Sequence, residues 1–442
     1  MLVKYVGQLC IALAVLSCVP LLVSIVCKDF TVSGRYAVII AALLLFGLVC
    51  GRLRISMKMQ HNEAMAVTAL IFLITPLVMA WPTMAAGLDF FDALFETVSA
   101  VTTTGLSTVV SLEGQTKTFL FSRAWMQWVG GLGIVVLGMA ALIQPGLAAK
   151  RLDIAEFSDD IIGGTRAVAQ RVLTVYVLLT IGGIGLLMLS GVDWYNALLY
   201  CLSAISTGGF SPHDASLAGL QNFPLWRDEQ LKALLMISIV VSLVLALSLK
   251  LPDGLGGTEA FRHGAVNGLS ALSTAGFSSM DIGAMEPGSK FILMLAMALG
   301  GSAGSTAGGI KIIRLLILFQ LISLMIRRSA APAHAIDETR LGQRKLDQQT
   351  LISTAMFVVI FIGCAALSWL PFLLLGQQPL DSLFEVFSAL GTAGLSSGIT
   401  AQDLQPLLKA VLCADMLLGR LEIIVWLVFF YPGTWIGLRK EK

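Results

Sequence analysis

Charge is scarce in this chain. Asp, Glu, Lys and Arg make up only 13% of the 442 residues, against 57% hydrophobic ones, which leaves far too little polar surface for a soluble protein of this size. The formal net charge of +2 provides no global field that would draw nucleic acid. Histidine is equally thin: His61, His213, His263 and His334 are scattered, and no HExxH or GxxxxGK[ST] pattern occurs, so nothing points to an enzyme or a bound cofactor. The seven cysteines lie in apolar segments with no pair at metal-ligand or CxxC spacing, the pattern of small buried hydrophobes kept reduced. The glycines of 130–133 and 182–185 sit inside apolar runs with no preceding strand, so they read as helix-packing glycines rather than a nucleotide loop. What remains is an integral membrane protein.

Apolar runs able to cross about 30 Å of hydrocarbon are expected at 5–27, 36–50 (short), 64–84, 125–145, 172–192, 231–251, 291–326 (interrupted), 351–375 and 407–435. The first is too long for a signal peptide and no small-x-small cleavage site follows it, which predicts a retained helix. Between these runs lie shorter mixed segments, 90–101, 194–205, 259–272 and 380–390. They are too short to span and are expected to be re-entrant pore helices.

Each of those segments leads into the same phrase. Residues 99–107, 203–211, 270–278 and 388–396 carry Ser, Ala, Thr, Gly and Ser at identical offsets. A small-residue loop ending in glycine at membrane depth is how backbone carbonyls can be turned inward to replace an ion's water shell. The competing reading, small residues that only let helices pack closely, fits one copy far better than four in register. Candidate ligands are therefore Thr103, Thr104 and Gly105; Thr207, Gly208 and Gly209; Thr274, Ala275 and Gly276; and Thr392, Ala393 and Gly394. The expected fold is an all-α membrane protein: two extra helices in 1–60, then four units of span, pore helix, filter loop and span at 61–149, 150–230, 231–330 and 331–442.

Lysine and arginine cluster after the second run (Arg52, Arg54, Lys58), after the fourth (Lys150, Arg151, Arg166, Arg171), in a central loop (Arg327, Arg328, Arg340, Arg344, Lys345) and at the end (Arg439, Lys440, Lys442). By the positive-inside rule these are cytoplasmic, with both termini inside and the first, second and fourth filters opening from the outer face. The filter glycines are spaced by 104, 67 and 118 residues. The middle interval is short by about one helix and a loop, which leaves one clear span between the second and third filters where two are needed.

Three further features carry chemistry. Glu96 and Glu385 stand nine residues before a filter glycine and Asp92 and Asp381 thirteen before; their expected role is to cap the pore helices or shape the outer vestibule. Residues 300–309 hold five glycines in ten (Gly300, Gly301, Gly304, Gly308, Gly309), too many for a straight lipid-facing helix. They form either a flexible gate beneath the filter or a permanently kinked packing element. Arg420, with Asp415 and Glu422 nearby, is costly inside a span. It is either an electrostatic barrier in the ion path or half of an ion pair.

The four filters, together with residues 128–136 (WVGGLGIVV), residues 300–311 and residues 417–422 (LLGRLE), resemble the Trk/Ktr/HKT superfamily of potassium transporters, most closely the bacterial Trk-type membrane subunit. The resemblance covers nearly all of the chain beyond the first two helices. It implies four such units around one pore, potassium as the permeant ion, a gating loop matching 300–309 and an arginine barrier matching Arg420. It also implies a multi-pass protein of the bacterial inner membrane, in contact with lipid, that forms homodimers on cytoplasmic nucleotide-binding regulatory subunits. Relatives that admit sodium often carry serine in the first filter; this chain has Gly105, which points to potassium. The fourth filter, residues 391–394 (GTAG), is nearer the Ktr branch, and the short middle interval departs from the family pattern. Ion-coupled secondary transport is the rival reading, although its inverted repeats would not run in one orientation as these do. A non-conducting paralogue is a third reading if a span is missing.

Overall fold

A computed structural model of the chain describes residues 2–52, 61–142, 161–207, 229–253, 256–301, 307–330, 340–341, 344–345 and 348–435. Among these the fold is helical, with one two-residue antiparallel pair, β1 (Arg340–Leu341) and β2 (Arg344–Lys345). The helices are α1 (Leu2–Val26), α2 (Phe30–Gly51), α3 (His61–Thr83), α4 (Phe90–Val101), α5 (Lys117–Leu142), α6 (Ile161–Leu189), α7 (Trp194–Ile205), α8 (Glu229–Asp253), α9 (Gly257–Ser273), α10 (Pro287–Ala298), α11 (Ile312–Ala330), α12 (Gln348–Leu374), α13 (Pro379–Leu390), α14 (Pro406–Arg420), α15 (Glu422–Phe430) and α16 (Pro432–Trp435). Stretches of α1, α2, α3, α6, α8 and α12 are long and apolar enough to cross a membrane, with mean hydropathy between 2.1 and 2.8. Their outer faces carry bare aliphatic side chains such as Leu178, Ile181, Val359 and Leu367, as a hydrocarbon solvent requires.

The chain divides into two compact units, residues 1–213 with 400–442, and residues 214–399. In the first, α1 and α2 form a hairpin closed by a tight turn at Cys27 to Asp29, where Asp29 caps α2 by accepting from the Val32 N–H. Its core gathers Tyr36, Val67, Phe72, Met126 and Trp426 from four helices. In the second unit Leu245, Leu249, Leu293, Met297, Phe384 and Leu395 form the core.

The four short helices stand where the mixed segments predict them: α4, α7, α9 and α13. Each follows a long helix, and α3, α6, α8 and α12 pack against them in turn. Three corrections concern the longer elements. The second helix is no marginal span, because it starts at Phe30 and runs 22 residues. α5 starts eight residues earlier than its apolar run. The last span is not continuous: α14 ends at Arg420, and Glu422 opens α15 with φ of 58°. The Trp426 indole N–H donates to Leu417 O at 2.9 Å across this break, to a carbonyl that also accepts from the Leu421 N–H at 3.3 Å. Between the second filter and α9 the described residues hold one long helix, α8; residues 208–228, with Gly208, Gly209 and Ser211, lie outside them, as does Gly304.

Candidate ion-conducting loops

The four short helices end alike. Thr103, Thr207, Thr274 and Thr392 have φ of 55°, 55°, 54° and 48°, a left-handed conformation that costs a residue with a Cβ roughly 1–2 kcal/mol. Each threonine N–H reaches back to the carbonyl of the repeated alanine: Ala100, Ala204, Ala271 or Ala389. In three copies the next N–H bonds the repeated serine's carbonyl: Thr104 to Ser99, Ala275 to Ser270 and Ala393 to Ser388, at 2.8–2.9 Å. This is the helix-terminating motif that glycine usually supplies. Here the strained position is threonine in all four copies. Gly105, Gly276 and Gly394 follow at φ of 95°, 76° and 81°.

In the first copy the Gly105 N–H is also taken, by the Ser99 hydroxyl oxygen at 3.0 Å. The hydroxyls of Thr103, Thr274 and Thr392 are buried without a hydrogen-bond partner, an uncommon state that asks for a reason; that of Thr207 donates to Ser206 O at 2.7 Å.

The residue nine before the filter glycine braces the loop beyond it. Glu96 accepts from the Ser107 hydroxyl and the Thr108 N–H, both at 2.7 Å. Glu385 does the same for Ser396 and Ser397, at 2.7 and 2.8 Å, and Asn267 accepts from the Ser279 N–H at 2.9 Å. Glu96 is fully buried and also pairs with Arg123 of α5 at 2.9 Å. Capping falls to other residues than the four acids expected to do it: Asp89 caps α4 and Asp193 caps α7.

Asp92 and Asp381 instead tie neighbouring repeats together. Lys409, on the helix after the fourth filter, pairs with Asp92 on the first pore helix. Lys290, on the helix after the third filter, pairs with Asp381 on the fourth pore helix at 2.7 Å. Neither lysine stands out from a sequence reading aimed at pore helices, yet both fall three residues after a proline that follows a filter, Pro287 and Pro406. At the matching position of the third pore helix stands His263, its Nδ1 2.8 Å from the Ser279 hydroxyl.

The helices after the filters approach them through glycine. A Cβ added at Gly130 would sit 2.1 Å from Val101 O, and one at Gly131 2.8 Å from Ser206 Cβ, so α5 wedges against the first and second filters at once. In the other unit a Cβ at Gly308 would lie 2.4 Å from Thr392 Oγ1 and 2.5 Å from Gly391 O. Gly300 faces Gly308 O across the loop, and Gly309 has φ of 69°. Gly301 accepts from the Ile312 N–H at 3.2 Å. These glycines therefore hold a bend packed on the fourth filter. Arg420 is buried, and its Nη2 donates to Gly130 O at 3.2 Å, which joins α14 to the glycine notch of α5.

The TrkH family model, described as a cation transport protein, matches residues 30–241 and 221–434. The chain belongs to the TrkH family of cation transport proteins. The two matches share residues 221–241. An uncharacterized cation transporter of Methanocaldococcus jannaschii is 30% identical over 90% of this chain and 88% of its own. The Trk system potassium uptake protein TrkI of Halomonas elongata is 28% identical over 98% and 96%. The crystal structure of the potassium transporter TrkH from Vibrio parahaemolyticus superposes with a TM-score of 0.85 at 25% identity, over 98% of this chain and 99% of that one. Membership of this family and the long apolar helices make the chain a multi-pass membrane transport protein rather than a member of an enzyme family.

Proposed function

We propose that the protein takes up potassium across the bacterial inner membrane through a pore lined by the carbonyls of its four filter loops. The observation that supports this most is the shared left-handed threonine: four copies of one strained turn present one set of carbonyls, and rings of such carbonyls can stand in for potassium's hydration shell. Residues 103–105, 207–209, 274–276 and 392–394 supply the ligands, with potassium as the transported ion and no resident cofactor. The glycines Gly300, Gly301, Gly304, Gly308 and Gly309 and the buried cation Arg420 form the gate. Both termini are cytoplasmic, and the protein works as a homodimer on nucleotide-binding regulatory subunits. The potassium uptake function named for its Trk relatives supports this reading.

Flux of potassium against sodium into liposomes holding only this protein tests it. Potassium-selective flux is expected; absence of flux with and without regulatory subunits would overturn it. Gly105→Ser is expected to raise sodium permeability relative to potassium, because a Cβ at φ of 95° forces the loop to rearrange. An unchanged ion ratio would count against the filter assignment. Arg420→Ala is expected to raise potassium flux several-fold by removing a buried positive charge from the path; an unchanged rate would make Arg420 a structural link to α5.

A further inference from the structure

A groove of about 920 Å³ opens in the first unit between the α1–α2 turn and the starts of α5 and α7, away from the filter threonines and Arg420. Its walls are apolar, built from Leu22, Val26, Phe121, Trp194 and Leu198, and its rim carries Lys28 and Lys117. Val26 is 80% and Trp194 61% exposed. The Lys117 ammonium stands 5.5 Å from the centre of the Tyr195 ring, and the Tyr195 hydroxyl donates to Lys117 O at 2.5 Å. These contacts hold the head of one rim lysine and the backbone of the same residue in place. Asp29, the acidic residue of the lining, is engaged as the cap of α2.

We propose that this groove binds a glycerophospholipid with an anionic headgroup. Aliphatic walls at this scale are stable only against acyl chains or another protein. Trp194 and Tyr195, at the start of a helix that dips into the membrane, have the amphipathic character of residues at the headgroup level. Two lysines at the rim attract an anionic phosphodiester, and the hydroxyls of Thr31 and Thr116 in the lining are suited to its oxygens. A second copy of the chain docked here would have to strip water from both lysines. A lipid headgroup leaves them hydrated and paired.

Trp194 is its own reporter. In vesicles containing brominated phosphatidylglycerol or brominated phosphatidylcholine, the fluorescence lost by the wild type minus that lost by Trp194→Phe isolates quenching at the groove. Brominated phosphatidylglycerol is expected to quench with at least fivefold higher apparent affinity, and the double variant Lys28→Gln, Lys117→Gln is expected to abolish the preference while quenching by both lipids persists. Equal affinity for the two lipids in the wild type, a preference that survives the double variant, or absence of quenching at Trp194 would each overturn the proposal, the last pointing to a second copy over the groove.

Discussion

Gly308→Ala is expected to cut potassium flux about tenfold. The new methyl would lie 2.4 Å from the Thr392 hydroxyl, 2.5 Å from Gly391 O and 2.8 Å from Gly391 C. Two of those atoms are backbone, so no side-chain rotation relieves the overlap. Gly391 is itself confined, since a Cβ there would meet Met297 O and Phe387 O at 2.8 Å. The fourth filter therefore shifts as a body. Overpacking of a dense site costs roughly 1–3 kcal/mol, and displacing the turn at Thr392 by a few tenths of an ångström spoils the spacing of its carbonyls. Uptake of potassium by proteoliposomes reads the loss directly. A rise in flux would mean that residue 308 acts as a gate that the methyl pushes aside, and that the filter tolerates the contact.

Lys409→Met is expected to destabilise the protein by about 3–5 kcal/mol, because it strands the Asp92 carboxylate in the interior. Both side chains of that pair are almost wholly buried, at 5% and 3% exposure, and the Gln402 carbonyl, 2.8 Å from the Lys409 ammonium, also loses its donor. The double variant Lys409→Met, Asp92→Asn is expected to regain most of the loss, since no unpaired charge is left. Lys290→Met removes the sister contact at a smaller cost, as the Asp381 side chain is 26% exposed and water can take the lysine's place. Unfolding midpoints of the four proteins in one detergent check the order. Equal midpoints for Lys409→Met and Lys290→Met would refute the argument from burial.

Much of this was legible without coordinates. The limits of α4 and α7 coincide with the predicted segments 90–101 and 194–205, because each is a short mixed run between a helix break and a small-residue loop. The five repeated letters also have local causes: serine and alanine carbonyls receive the loop's N–H groups, threonine takes the left-handed turn, glycine extends it, and the last serine of the first and fourth copies answers the glutamate behind it. The break after Arg420 was not legible, since a lone glycine such as Gly419 and the charges beside it are tolerated within a helix, and the proline of that run, Pro432, lies well beyond the break.

The partners of the charged residues were hidden for a different reason. Lys409 and Asp92 are 317 residues apart and Arg420 and Gly130 are 290 apart, and no periodicity links positions so distant. Local sequence determined that the chain is a helical membrane protein with four alike turns, because helix length, hydropathy and turn chemistry are set by near neighbours. Only the tertiary structure decided which repeat each lysine holds, that Glu96 braces a loop rather than capping a helix, and that Gly308 lies on the fourth filter, because those contacts exist only after distant helices pack.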